Sequence, residues 1–160
     1  MPTSSVPKKV YCKIGEIVAT WSLIESTIDG IILDALVIHP EQGLLLTAAL
    51  ATPAKLDILQ IVMRHAGSKA GKSSDVSNLM GRIKVSYTKR NEAAHHAWFP
   101  SDGAGDAKRM AIKVRGGKIR EVEEITTISD LSKISEELDD ILVRLNKLYD
   151  DGVVVAKYSA

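Results

Sequence analysis

Apolar positions recur at spacings of three and four over most of the chain, the period of helices that bury one face. In the first such run, Ile14, Ile17, Val18, Trp21, Ile24, Ile28, Ile31, Ile32 and Ala35 form one stripe. That spacing predicts a long helix from about Lys8 to Ile38. The segment HPEQ at 39–42 punctuates it. Pro40 suits the first turn of a following helix, because its missing N–H has no helical partner there anyway. Residues 43–51, GLLLTAALA, are apolar all round and predict a short buried helix. Thr52 then reads as an N-cap, Pro53 as the first helical residue and Gly67 as a stop. Leu56, Leu59, Ile61, Val62 and Met63 supply that helix's apolar side. Residues 68–74 read as a flexible polar linker. Ser74 or Asp75 caps the next helix, which carries Val76, Leu79, Met80, Ile83 and Tyr87 and ends around Arg90–Ala94.

After AWFP (97–100) the period changes. Residues 101–107 read as a loop and 108–127 as a β-hairpin closed near Gly116 and Gly117. Met110, Ile112 and Val114 alternate onto one face. The return strand alternates poorly, which predicts a bulge or irregular register. Ser129 reads as the N-cap of a last helix whose stripe is Leu131, Ile134, Leu138, Ile141, Leu142, Leu145 and Leu148. Residues 1–7 and 153–160 read as flexible termini. The expected fold is mainly α: an antiparallel helical bundle over residues 8–150 with a small β-hairpin inserted before the last helix. Two strands are not stable alone, so the hairpin must pack on the bundle or on a partner subunit.

Composition narrows this picture without changing it. A chain of 160 residues, 45% apolar and 26% charged, fits one ordinary globular domain. Aromatics are only 4%, so the core is expected to be Leu, Ile, Val and Ala. The single cysteine, Cys12, excludes an intrachain disulfide and a thiolate metal cluster. Its apolar-periodic surroundings predict a small core residue. No apolar run reaches the length of about 18 residues that a membrane span needs, and the N-terminus lacks a signal-peptide apolar region. A cytoplasmic setting without membrane contact is expected.

Charge is more informative by position than in total. Between Arg64 and Arg90 stand seven basic residues (Arg64, Lys69, Lys72, Arg82, Lys84, Lys89 and Arg90) against one acid, Asp75. Between Glu121 and Asp151 stand ten acids against three bases. A basic cluster is the electrostatic footprint of a polyanion ligand. Alternatively, the two blocks face each other or are solvated surfaces.

The basic block runs into KRNEAAHHAWFP (89–100), which holds two of the four histidines, His95 and His96. Arginine offers a permanently charged planar fork suited to phosphate. Histidine can give and take a proton near neutral pH. Asn91 can hydrogen-bond a sugar, a phosphate or a histidine. Together these groups can cleave RNA without metal: a base deprotonates the ribose 2′-OH, that oxygen attacks the adjacent phosphate, and a cation stabilises the added charge. On an unbroken helix, residues five apart point about 140° from each other. Arg90 and His95 can therefore meet one phosphate only if the helix breaks or a second subunit contributes. Glu25 lies on the apolar stripe of the first helix, where a carboxylate needs a partner. Arg90 or protonated His95 would serve. Adjacent histidines do not make the i,i+4 pair with which a helix chelates metal, so His95 and His96 with His39 or His65 predict no metal site. Trp98 and Phe99 read as core or dimer-interface anchors.

Arg90-Asn91-Glu92-Ala93-Ala94-His95 resembles the signature of the HEPN superfamily, an arginine, a polar residue that is often Asn, and a histidine four to six positions after the arginine. The long first helix with its WSLIES segment, the motif at the end of a later helix and the amphipathic last helix extend the resemblance over about residues 8–150. It implies a metal-independent endoribonuclease without cofactor, acting as a homodimer that brings two motifs into one cleft. Arg90 would bind the scissile phosphate, His95 would be the acid/base group and Asn91 would orient it. Lys84, Tyr87, Lys89 and His96 would line the RNA path, with Glu25 in support. Such folds occur in toxin–antitoxin, abortive-infection and phage-defence systems, which implies an antitoxin or other regulatory partner. Ala97 stands where the branch paired with nucleotidyltransferase antitoxins carries a tyrosine, so the resemblance does not extend to that pairing. Other members are non-catalytic modules that bind RNA, nucleotide or a partner protein, and this is the alternative reading.

Overall fold

The computed structural model describes residues 6–69, 72–101, 106–115 and 117–151. Five helices, α1 (Lys8–Ala35), α2 (Pro40–Ala49), α3 (Thr52–Lys69), α4 (Ser73–His95) and α5 (Ile128–Asp150), account for most of it. Three strands, β1 (Ala97–Pro100), β2 (Ala107–Arg115) and β3 (Lys118–Thr126), lie between α4 and α5 in the chain. The fold is mainly α with a small β insertion, as the periodicity predicts. Among the described residues, no helix is long and apolar enough to cross a membrane.

The chain divides into two compact units. One comprises residues up to Trp21 and Ser86–Leu138; the other comprises Ser22–Val85 and the residues from Asp139 onward. In the first unit, the core gathers Val10, Ile17 and Trp21 of α1, Ala93 of α4, Ala107 and Ala111 of β2, and Leu131 and Leu138 of α5. In the second, it gathers Ile24, Ile28, Ile31 and Ile32 with Leu56, Leu59, Met63, Val76, Leu79, Ile83, Ile141 and Leu145. These are the apolar stripes of the helices. Cys12 is an exception to the reading above: it is exposed. Two residues beyond buried Val10, it lies about 200° around the helix, on the solvent side.

α1 stops at Ala35 rather than Ile38. Ile38 N donates to Leu33 O (3.1 Å) and Val37 N to Asp34 O (3.3 Å), closing the helix in a Schellman turn. Val37 occupies the left-handed position of that turn, with φ 54°. α2 is not the buried helix its composition suggests. Gly43 and Thr47 are buried, four residues apart on one face, while Leu44, Leu45 (77% exposed) and Leu46 stand out. A Cβ on Gly43 would fall 2.1 Å from Leu33 Cδ2, so α2 meets α1 through its smallest side chain and turns its leucines away.

Two caps also differ. Thr52 does not cap α3; its hydroxyl donates to Glu25 Oε1 at 2.5 Å, and the helix starts from the carbonyl of Ala51. Gly67 does not stop α3, which runs to Lys69. α5 is capped by Thr127 rather than Ser129. Thr127 Oγ1 accepts from Asp130 N (3.1 Å), and Asp130 Oδ2 accepts from Thr127 N (3.1 Å). This reciprocal box satisfies two helix-end donors.

The sheet has three antiparallel strands in the order β1-β2-β3. β2 and β3 form the expected hairpin around Gly117 (φ 72°), and β1 adds a third strand from the AWFP segment. The β2–β3 register is unbroken from Ala107↔Thr126 to Arg115↔Lys118, without the expected bulge. The buried face also differs from expectation. Ala107 and Ala111 turn inward while Ile112, Ile119 and Ile125, on the opposite face, are exposed. The inward face of β2 thus carries small alanines, with Arg109 between them bonded to Glu92 of α4.

Candidate functional site

α4 carries the motif to its C-terminal end without a break. The helical pattern extends one residue further, with His96 N donating to Glu92 O at 3.2 Å. The chain then turns into β1, and Trp98 Nε1 donates to the carbonyl of Ala93 at 2.9 Å. That bond satisfies one of the carbonyls a helix end leaves open. Trp98 is thus half-buried against its own helix end, while Phe99 is exposed.

Arg90 and Asn91 are both half-buried and bonded to each other: Arg90 Nη1 donates to Asn91 Oδ1 at 2.9 Å. Arg90 Nε is buried without a partner among the described residues. The other arginines with comparable burial are tied to carboxylates: Arg82 to Asp140, and Arg109 to Glu92 and Glu124. A guanidinium whose partner among the described residues is a neutral amide keeps its charge for an anion. His95 is exposed at the last turn, where the helix dipole favours a cation. His96 is half-buried, with Nδ1 buried and unpartnered among the described residues. The unbroken helix leaves Arg90 and His95 about 140° apart in projection.

Of the other anticipated site residues, Lys89 is exposed and Tyr87 is half-buried against Trp21, ring centroids 5.6 Å apart and tilted by 38°. Lys84 and Glu25 belong to the second unit. Lys84 Nζ donates to Gln60 Oε1 at 2.6 Å and lies 3.5 Å from Asp57. Glu25 is partnered by Thr52, a neutral donor that lowers the need for a cation there. Among the described residues, no three His, Cys, Asp or Glu side chains converge as a metal ion requires.

One group of charges was missed in the sequence. Arg109 of β2 bonds Glu92 Oε2 of α4 (2.8 Å) and Glu124 of β3. Burial pushes the Arg109 pKa down, but the two carboxylates outweigh it and the net direction is up. Glu92 sits inside the motif, so this triad fixes the motif's turn of helix to the sheet. The Arg109–Glu124 half could have been found, since the hairpin register sets those residues opposite each other. The helix-to-sheet half carries no local signal.

The two charge blocks do face each other within the second unit. Arg82 bonds Asp140 at 2.7 Å and Lys72 bonds Asp151 at 3.0 Å. Part of the basic block is thereby neutralised, which leaves Arg90 the more distinctive cation. No family model, curated protein or solved structure matches the chain.

Proposed function

We propose that the protein is a metal-independent endoribonuclease of HEPN type, acting as a homodimer. The observation that carries this reading is Arg90, a half-buried guanidinium with a neutral partner and an Nε unpartnered among the described residues, about a turn and a half before two histidines. In the reaction, a histidine of the motif takes the proton of the ribose 2′-OH. The 2′-oxygen bonds to phosphorus as the bond to the 5′-oxygen breaks, and the leaving oxygen takes a proton from water or from the protonated histidine. The products are a cyclic 2′,3′-phosphate and a 5′-hydroxyl. Arg90 offsets the charge that builds on the phosphoryl oxygens, and Asn91 holds the guanidinium in place. His95, exposed at the helix end, is the acid/base group. Lys89 and His96 flank the RNA. The same reading implies a cytoplasmic setting and a regulatory partner such as an antitoxin of a defence system.

The test incubates purified protein with single-stranded RNA in EDTA. Wild type is expected to cleave. Arg90→Ala and His95→Ala should each lose activity by at least about 10²-fold, a typical loss for one acid/base or charge-stabilising group. His96→Ala should retain most of it. Cleavage that persists in both of the first two variants would sink the assignment. RNA binding without cleavage by wild type would favour a non-catalytic RNA-binding module.

A further inference from the structure

The second unit holds a cleft of about 410 Å³ whose walls come from α4 and α5. α4 and the residue before it contribute Lys72, Asp75, Asn78, Leu79 and Arg82; the last turns of α5 contribute Arg144, Lys147 and Leu148. Such a volume lies at the small end of ligand sites.

The chemistry of the walls is divided. One oxygen, Asp140 Oδ2, accepts from both Arg82 Nη2 and Arg144 Nε, each at 2.7 Å. The bonds from Arg82 and then Arg144 hold the Asp140 carboxyl below its ordinary range. The lining as a whole carries four cations, Lys72, Arg82, Arg144 and Lys147, against two carboxylates, Asp75 and Asp151, so positive charge is in excess. Lys147 lies three residues after Arg144 on the same side of α5. Like charges at that spacing repel, so the arrangement is relieved by an anion. The Lys72 charge is offset by Asp151. Asp75 and Asn78, also three apart, present a carboxylate and an amide, a pair suited to hydroxyl groups. Leu79 and Leu148 give the cleft an apolar floor.

The geometry points to a binding site for a small sugar phosphate, with its phosphate at Arg144 and Lys147, its hydroxyls at Asp75 and Asn78, and its C–H face on Leu79 and Leu148. A bare anion would meet Asp75 unfavourably, and an unphosphorylated sugar would leave the cations unused. A phosphorylated sugar answers both ends. The site does not depend on the nuclease reading.

Isothermal titration calorimetry with ribose 5-phosphate, ribose and inorganic phosphate tests this. Ribose 5-phosphate should bind at least about tenfold more tightly than either fragment, by the added charge-assisted bonds. The double variant Arg144→Gln/Lys147→Gln, at exposed positions, should lose about tenfold or more in affinity. Asp75→Asn should weaken ribose 5-phosphate while strengthening inorganic phosphate, a reversal that misfolding cannot produce. No heat with ribose 5-phosphate, equal binding of inorganic phosphate, or an unchanged double variant would each overturn the proposal. RNA cleavage by the double variant separates the outcomes: it should match wild type whichever way the nuclease test falls.

Discussion

At the scale of single residues, the ion triad around Arg109 is the interaction most exposed to test. Its side chain is 15% exposed and spans two carboxylates that would otherwise face each other between α4 and β3. Removing a cation from between two carboxylates takes its bond from each and leaves them repelling each other. Glu92 and Glu124 are each more than a third exposed, so solvent screens part of that loss. Arg109→Leu is expected to lower unfolding stability by about 1–2 kcal/mol in urea denaturation. Arg109→Lys should recover only part of it, because a point charge cannot reach both carboxylates as a fork does. An unchanged midpoint for Arg109→Leu would mean the triad adds nothing to the fold. Individual residues were legible where one local rule decided them. Arg90 and Asn91 stood out by type and order, and they are the pair that bond. Glu25 stands on an apolar stripe, and a hydroxyl 27 residues away, rather than a cation, partners it. No periodicity reports such a choice.

At the scale of elements, each helix was legible because one period covers many residues, and local misreadings do not cancel it. Ends and faces were less so. The stop of α1 shows why. The Schellman turn places Val37 at φ 54°, a position that glycine fills without strain and a β-branched residue does not. Nothing in the segment LVIHP signals a left-handed residue, so the apolar stripe of the sequence runs on past the end of the helix. Val37 is also 73% exposed, so its side chain contributes little burial to set against the strain. Val37→Gly is therefore expected to stabilise the protein by about 1 kcal/mol, the relief of left-handed strain less the entropy glycine gains in the unfolded chain. A drop in melting temperature would show that the valine is held by packing rather than tolerated. The sheet was misread for a related reason. Met110, Ile112 and Val114 alternate correctly, but alternation states only that two faces differ. Small Ala107 and Ala111 with Arg109 fill the inner face, because the helix end supplies Glu92 to that side.

For the whole molecule, the motif's chemistry and its geometry make opposite demands. On the proposed nuclease reading Arg90 and His95 must reach one phosphate, yet α4 is continuous through both and turns them about 140° apart. On that reading, the conflict is resolved only by a second copy, with Arg90 of one protomer working beside His95 of its partner. A twofold dimer would then hold two such sites, each dependent on both chains. This separates the composite site from one housed in a single chain. Arg90→Ala and His95→Ala homodimers are each inactive in both sites. When the two variants are mixed, unfolded and refolded together, half of the dimers are mixed. Each mixed dimer has one site with both substitutions and one site with neither, so RNA cleavage should return to about a quarter of wild type at equal mixing. Sites confined to one chain would give no recovery, since every chain carries a lesion. Recovery must also fall away when either variant is diluted against the other. Cleavage assays across the mixing ratio, beside sedimentation of each variant, decide between the two arrangements.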